Sequence, residues 1–309
     1  MSKDRPRNLP ASVRQRLMTL ARSRHEDFQF VLTRYANERI LYRLSVSEYA
    51  ERFVLKGAML FRLWDDQTHR PTRDLDLLGT GDSSPDAVAQ VFREIVESRV
   101  EEDGLSFDPD TVSAERIKED QQYEGVRVGC MAHLGQARID IQIDVGFGDA
   151  VVPRATEVSY PTLLDFPPPI LGAYPRESVV AEKFQAMVSL GIANSRMKDF
   201  FDLWFLAKRF PFDGQTVCRA IGATFHRRKT PLPSEPPLAL TQAFSTDEAK
   251  AKQWVAFIKK NKLDARSTLE QVRAFLSEFL LPPTLSLAAG LGFPYVWEPP
   301  GPWKEIVEE

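Results

Sequence analysis

Residues 137–145 alternate without a break. Ile139, Ile141, Ile143 and Val145 fall on one phase, and Arg138, Asp140, Gln142 and Asp144 on the other. Period-two patterning predicts a strand with one face in a core and one polar face. A shorter alternation runs through Thr72-Arg73-Asp74-Leu75-Asp76-Leu77, and Gly125-Val126-Arg127-Val128 and Thr111-Val112 continue the strand theme. Phe53-Val54-Leu55 is a short apolar segment entering Lys56-Gly57-Ala58, after which residues 59–64 read as an amphipathic helical turn. Elsewhere the apolar spacing is helical. Val13, Leu17 and Leu20, then Phe28, Val31, Leu32, Tyr35 and Leu41, predict two helices broken near Ser23-Arg24-His25, and Ser84-Pro85-Asp86 opens a helix over 87–100. Further helices are predicted over 177–190, 196–209, 216–225, 247–260 and 269–280, with an irregular Pro-rich loop at 230–237 and a Pro/Trp-rich tail from Pro282.

Strands thus fill the first half and helices the second. The run Phe166-Pro167-Pro168-Pro169 reads as a linker, giving an expected division into 1–170 and 171–309 and an α+β class. Hydrophobic content of 43% and charged content of 27% fit a soluble globular protein, and no apolar stretch approaches the ~20 residues of a membrane helix. The N-terminal residues are basic and polar without an apolar segment behind them, so the chain is expected in the cytoplasm. Cys130 and Cys218 have no metal-ligand spacing and read as buried thiols. A net charge of −3 gives no global signature of nucleic-acid binding. Locally, Arg5, Arg7, Arg14, Arg16, Arg22 and Arg24, then His226-Arg227-Arg228-Lys229, and Lys250, Lys252, Lys259, Lys260 and Lys262, form clusters that either neutralise phosphates or face solvent.

The candidate chemistry lies at Asp74 and Asp76. Side chains two apart on a strand point the same way, so both carboxylates leave one face while Leu75 and Leu77 enter the core. Paired carboxylates on a rigid strand suit hard divalent cations that bridge nucleotide phosphates. Gly57, opening a helical turn, can present backbone N–H groups to a phosphate. A third carboxylate is expected from a neighbouring strand, with Asp144 the best placed and Asp140 the alternative.

Three blocks carry a resemblance: Leu55-Lys56-Gly57-Ala58 through Arg73-Asp74-Leu75-Asp76; Ile143-Asp144-Val145-Gly146; and Ala181-Glu182-Lys183-Phe184 followed by Arg196-Met197-Lys198-Asp199-Phe200-Phe201-Asp202. Their order and spacing resemble the AbiEii/AbiGii-type nucleotidyltransferase toxin family. The resemblance implies a DNA polymerase β-like nucleotidyltransferase sheet with flanking helices, a C-terminal helical domain, and an active site in the cleft between them. It further implies a toxin of a bacterial toxin–antitoxin or phage-defence system with a cognate antitoxin, using an NTP and Mg²⁺ or Mn²⁺ to modify an RNA, for some members the 3′ end of tRNA. By the match, Asp74 and Asp76 would hold the metal. Lys56, Gly57 and Ala58 shape the phosphate loop, Lys183 contacts the triphosphate, and Asp199 completes the site beside Arg196 and Asp202.

The chain departs from the family pattern at Ala58, where no hydroxyl is available for a phosphate contact. It also has a long segment between Gly57 and Asp74, which could contribute Thr72, His69, Arg70 or Arg73. Bland readings stand beside the functional ones: Lys183 as a surface lysine, Arg196–Asp199 and Lys198–Asp202 as ordinary ion pairs on a helix. The competing functions are nucleotidyl or phosphoryl transfer to a protein, and a non-catalytic module that binds a nucleotide or partner.

Overall fold

The computed structural model describes residues 8–65, 70–120, 123–263 and 266–306. They form two compact units, one of residues 1–148 and 156–173, the other of 149–155 and 174–309.

The first unit opens with helices α1 (Leu9–Ser23) and α2 (Phe28–Ser45). Each starts on a side-chain cap: Asn8 Oδ1 accepts from the Ala11 N–H at 3.1 Å, and Asp27 Oδ1 accepts from the Phe30 N–H at 2.9 Å. His25, at φ 54°, makes the predicted break between them. There follow β1 (Phe53–Lys56), the short α3 (Phe61–Trp64), β2 (Leu75–Gly79), α4 (Pro85–Glu97), β3 (Leu105–Asp120), β4 (Tyr123–Leu134), β5 (Ala137–Phe147), β6 (Thr156–Ser159) and β7 (Ile170–Ala173). The seven strands make one sheet in the order β3-β4-β5-β2-β1-β7-β6. β2 runs parallel to β5 and β1 parallel to β7; the other neighbours are antiparallel. The predicted alternation sets the faces: Leu75, Leu77, Ile139, Ile141, Ile143 and Val145 are all buried, on the face against which α2 packs.

The run at 166–169 does not part the units. Arg39, fully buried on α2, donates to the Pro167 carbonyl at 2.9 Å, the Phe166 ring lies against Tyr35, and β7 follows as a strand of the first unit's sheet. The division therefore falls after Ala173, and residues 149–155 group with the second unit. The anchor of this arrangement is Asp103. Arg39 Nε and Arg43 Nη1 donate to its carboxylate at 3.1 and 2.7 Å, and the Tyr35 hydroxyl donates to its carbonyl at 2.7 Å. Next to Arg39, the Glu38 carboxylate accepts from the Leu163 N–H at 2.7 Å.

The second unit comprises α5 (Arg176–Leu190), α6 (Met197–Arg209), β8 (Phe212–Asp213), α7 (Gly214–Arg227), α8 (Gln242–Thr246), α9 (Glu248–Lys260), α10 (Leu269–Ala288), β9 (Tyr295–Trp297) and β10 (Trp303–Glu305). One expectation fails here. The helix predicted to end near residue 280 continues through Pro282 and Pro283 to Ala288, and the tail adds β9 and β10 to β8 in a three-stranded sheet. Proline at 283 has no N–H for the Phe279 carbonyl. The Trp303 indole N–H takes that acceptor at 3.0 Å, with its ring stacked on Phe279. Trp297, also fully buried, donates to the Ala207 carbonyl at 2.6 Å.

Asp103→Ala strands two buried guanidinium groups, so stability in urea titration is expected to fall by about 3–5 kcal/mol. A loss below about 1 kcal/mol would show that solvent reaches Arg39 and Arg43.

Candidate active site

Strand register builds the first cluster. Asp76 on β2 pairs with Lys56 on β1 and with Asp144 on β5; Asp144 pairs in turn with Arg127 on β4, and Arg127 with Glu115 on β3. Directly paired residues share a face, so five charged positions form one row across five strands. Asp74 sits immediately before β2, two residues from Asp76, and its Oδ1 accepts from Gln142 Nε2 at 3.3 Å. The register thus puts Asp144 beside Asp76, while Asp140 lies four residues away, about 13 Å along the strand.

Arg127 grips Asp144 with two hydrogen bonds of 2.8 Å, Nε to Oδ1 and Nη2 to Oδ2. These bonds, opposed by partial burial and supported by the charges of Asp144, Asp74 and Glu115, raise the Arg127 pKa. Arg127 escaped notice in the sequence, although its polar position between Val126 and Val128 was the available signal. Lys56 is buried in the same row.

Gly57 is required where it stands. It has φ 75°, and a Cβ there would run into the Asp76 carboxylate. Residues 57–60 form a 3₁₀ turn leading into α3, so the backbone after Gly57 turns sharply against that carboxylate.

The fit to a divalent cation rests on these donors. Asp74 is exposed and Asp76 half-buried, and both offer the hard oxygens that Mg²⁺ prefers. Asp144 can join them only by giving up guanidinium hydrogen bonds. Among the described residues no group of three or more acidic, His or Cys side chains is arranged as a ready metal cage. His69 lies outside the described residues.

The second cluster lies wholly in the C-terminal unit. Lys183 on α5 places its Nζ 2.8 Å from Asp199 Oδ1 and 2.8 Å from Asp202 Oδ2, both fully buried on α6. Arg196 Nε is 2.7 Å from Asp199 Oδ2. The i,i+3 pair foreseen at Arg196–Asp199 therefore exists, and Lys183 is a tethered, mostly buried group and not a free surface lysine. Beside it, Glu182 lies 3.5 Å from Arg228, which also pairs with Asp149 at 3.0 Å and donates to Gln185 at 2.9 Å. Members of the basic clusters are thus spent inside this unit, among them Arg228, Lys250, whose Nζ donates to the Asn194 carbonyl at 2.9 Å, and Lys252, which pairs with Glu248 on the surface. Arg5 and Arg7 fall outside the described residues.

Two predictions follow from this geometry. Gly57→Ala must displace the Asp76 carboxylate and strain a left-handed backbone, so it is expected to cost about 1–3 kcal/mol in thermal unfolding. Burial alone would raise the Asp199 pKa, but the charges of Lys183 and Arg196 reverse the sign and hold it below its ordinary value of 3.8. A depressed carboxylate pKa stabilises the fold above the unfolded value, and that contribution is lost as pH falls from about 3.8 through the folded pKa. Urea midpoints measured from pH 6 downward should show this acid limb, and Asp199→Asn should flatten it.

Comparison with known proteins bears on what these clusters do. Two solved structures resemble the chain at a TM-score of 0.44 and 14% identity. JHP933 from Helicobacter pylori is matched over 81% of this chain and 87% of its own, and a candidate nucleotidyltransferase from H. pylori over 81% and 89%. No curated protein sequence matches the chain. The family model described as nucleotidyl transferase AbiEii toxin, type IV toxin–antitoxin system, matches residues 39–278, most of both units. A span that takes in Gly57, Asp74, Asp76, Asp144, Lys183 and Asp199 identifies the chain as a member of the AbiEii nucleotidyl transferase toxin family.

Proposed function

We propose that this nucleotidyltransferase uses Asp74 and Asp76 to hold Mg²⁺, or Mn²⁺ in its place, and transfers a nucleotide from an NTP to an RNA 3′-hydroxyl, with tRNA as the acceptor. The observation that carries this reading is the placement of two carboxylates on one strand face, with the Gly57 backbone against one of them and a third carboxylate, Asp144, in register beside it. The bound cation would neutralise charge on the phosphates and on the attacking and leaving oxygens.

The protein's own groups do the positioning. The turn at Gly57-Ala58 offers backbone N–H groups to the triphosphate, and Lys56 stands beside Asp76 in the charged row. The family resemblance assigns Lys183 to a phosphate as a point charge; Asp199 and Asp202 hold its ammonium in a fixed place, and Arg196 pairs with Asp199. The acceptor oxygen forms a bond to the α-phosphorus as the bond to the β-phosphate oxygen breaks. Pyrophosphate leaves, and the hydroxyl proton passes to solvent. An RNA acceptor is supported by the exposed lysines of α9, and the tRNA 3′ end by the family resemblance. The toxin class supplies the expectation of a cognate antitoxin.

Purified protein incubated with Mg²⁺, each α-labelled NTP in turn, and total tRNA with cell lysate should place label on RNA. Asp74→Ala should reduce that signal at least ~10³-fold, a loss of about 4 kcal/mol in transition-state stabilisation, with unfolding temperature unchanged. Label on protein would move the acceptor, and undiminished transfer by Asp74→Ala would refute the metal assignment.

A further inference from the structure

In the first unit, α2, the turn after Gly57 and residues 70–72 enclose a recess of about 450 Å³, its open mouth included. Its polar lining is Arg34, Asn37, Arg62, Arg70, Thr72 and Tyr160. Three guanidinium groups therefore converge on one concave surface.

Arg34 is the informative one. It is only 8% exposed, and it spends part of its fork on Glu26, with Nη2 3.3 Å from Glu26 Oε2. Its Nε and Nη2 are buried and make no hydrogen bond among the described residues. A buried guanidinium that uses so few of its five donors is incompletely satisfied. Asn37 differs in sense: its Nδ2 donates to the Arg73 carbonyl at 2.9 Å, and its buried Oδ1 is an acceptor that makes no hydrogen bond among the described residues. Burial first, and then repulsion by Arg62, lower the Arg34 pKa, and attraction to Glu26 does not restore it.

The recess is distinct from the carboxylate row. Arg34 and Asn37 sit on α2, which packs against the buried face of Leu75, Leu77, Ile143 and Val145, whereas Asp74, Asp76 and Asp144 are on the opposite phase of the same strands. Guanidinium forks match the paired oxygens of a phosphate, and Thr72 and Asn37 add neutral polar groups at the same wall.

The geometry points to a phosphate-binding subsite in this recess, with Arg34 and Arg62 as its principal ligands. The source of the phosphate, which rests on the nucleotidyl-transfer reading, is either the backbone of the acceptor strand or the nucleotide.

The test begins with the full chain and inorganic phosphate in EDTA, so that metal-bound nucleotide plays no part. Unfolding temperature should rise saturably with phosphate but not with chloride at equal ionic strength. Arg62→Gln should weaken that effect at least tenfold while leaving the unfolding temperature without phosphate unchanged; Arg34→Gln should do the same where it folds, and Asp74→Ala should retain it. No saturable effect, or equal affinity in Arg62→Gln, overturns the proposal. In transfer assays, a higher KM for the RNA acceptor in Arg62→Gln assigns the phosphate to the acceptor backbone, and a higher KM for the NTP assigns it to the nucleotide. Phosphate binding that survives alongside transfer unaffected by Asp74→Ala would leave the subsite standing and remove the metal assignment.

Discussion

The parallel register of β2 against β5 is the constraint on which the rest depends. Leu75 and Leu77 must enter the core with Ile143 and Val145, and each such side chain contributes about 1.5–3 kcal/mol when buried. A slip of one residue would turn Leu75 and Leu77 away from the apolar layer and drive Asp76 into it. The hydrophobic face therefore aims the charged face. Asp76 meets Asp144, and Lys56 and Arg127 flank them, because the leucines and isoleucines behind admit no other alignment.

The two clusters differ in charge balance, and that difference matches different tasks. The row on the sheet sets Glu115, Asp76 and Asp144 against Arg127 and Lys56, with Asp74 adjacent, and is formally negative. It suits cations. The cluster on α5 and α6 sets Lys183 and Arg196 against Asp199 and Asp202 and is formally neutral, with both carboxylates fully buried. Removing charges from water is tolerable there because each has a partner within 2.8 Å.

The strand over 137–145 and the Asp74/Asp76 pair were legible in the sequence because alternation is a local signal that the sheet enforces. The Arg196–Asp199 pair was legible for the same reason, being one helical turn long. What stayed hidden depends on contacts distant in sequence. Pro282 and Pro283 locally argue for a helix end, and only Trp303, twenty-four residues from Phe279, makes their passage tolerable. The recess on α2 was equally invisible, since Arg34, Glu38, Arg39 and Arg43 are buried charges on a helix whose sequence shows no clear apolar stripe. Lys183 looked like a surface lysine because its two carboxylates come from the next helix.

The clasp made by Trp297 and Trp303 also sets an order of events during synthesis. The first sheet has all its strands once Ala173 has emerged, whereas α10 and α6 wait for indoles that come some 130 residues later. At roughly 5–20 residues per second, that is a delay of roughly 6–26 s. During that interval the nascent chain has every strand of the first sheet, while the aromatic wedges of α6 and α10 have not been made.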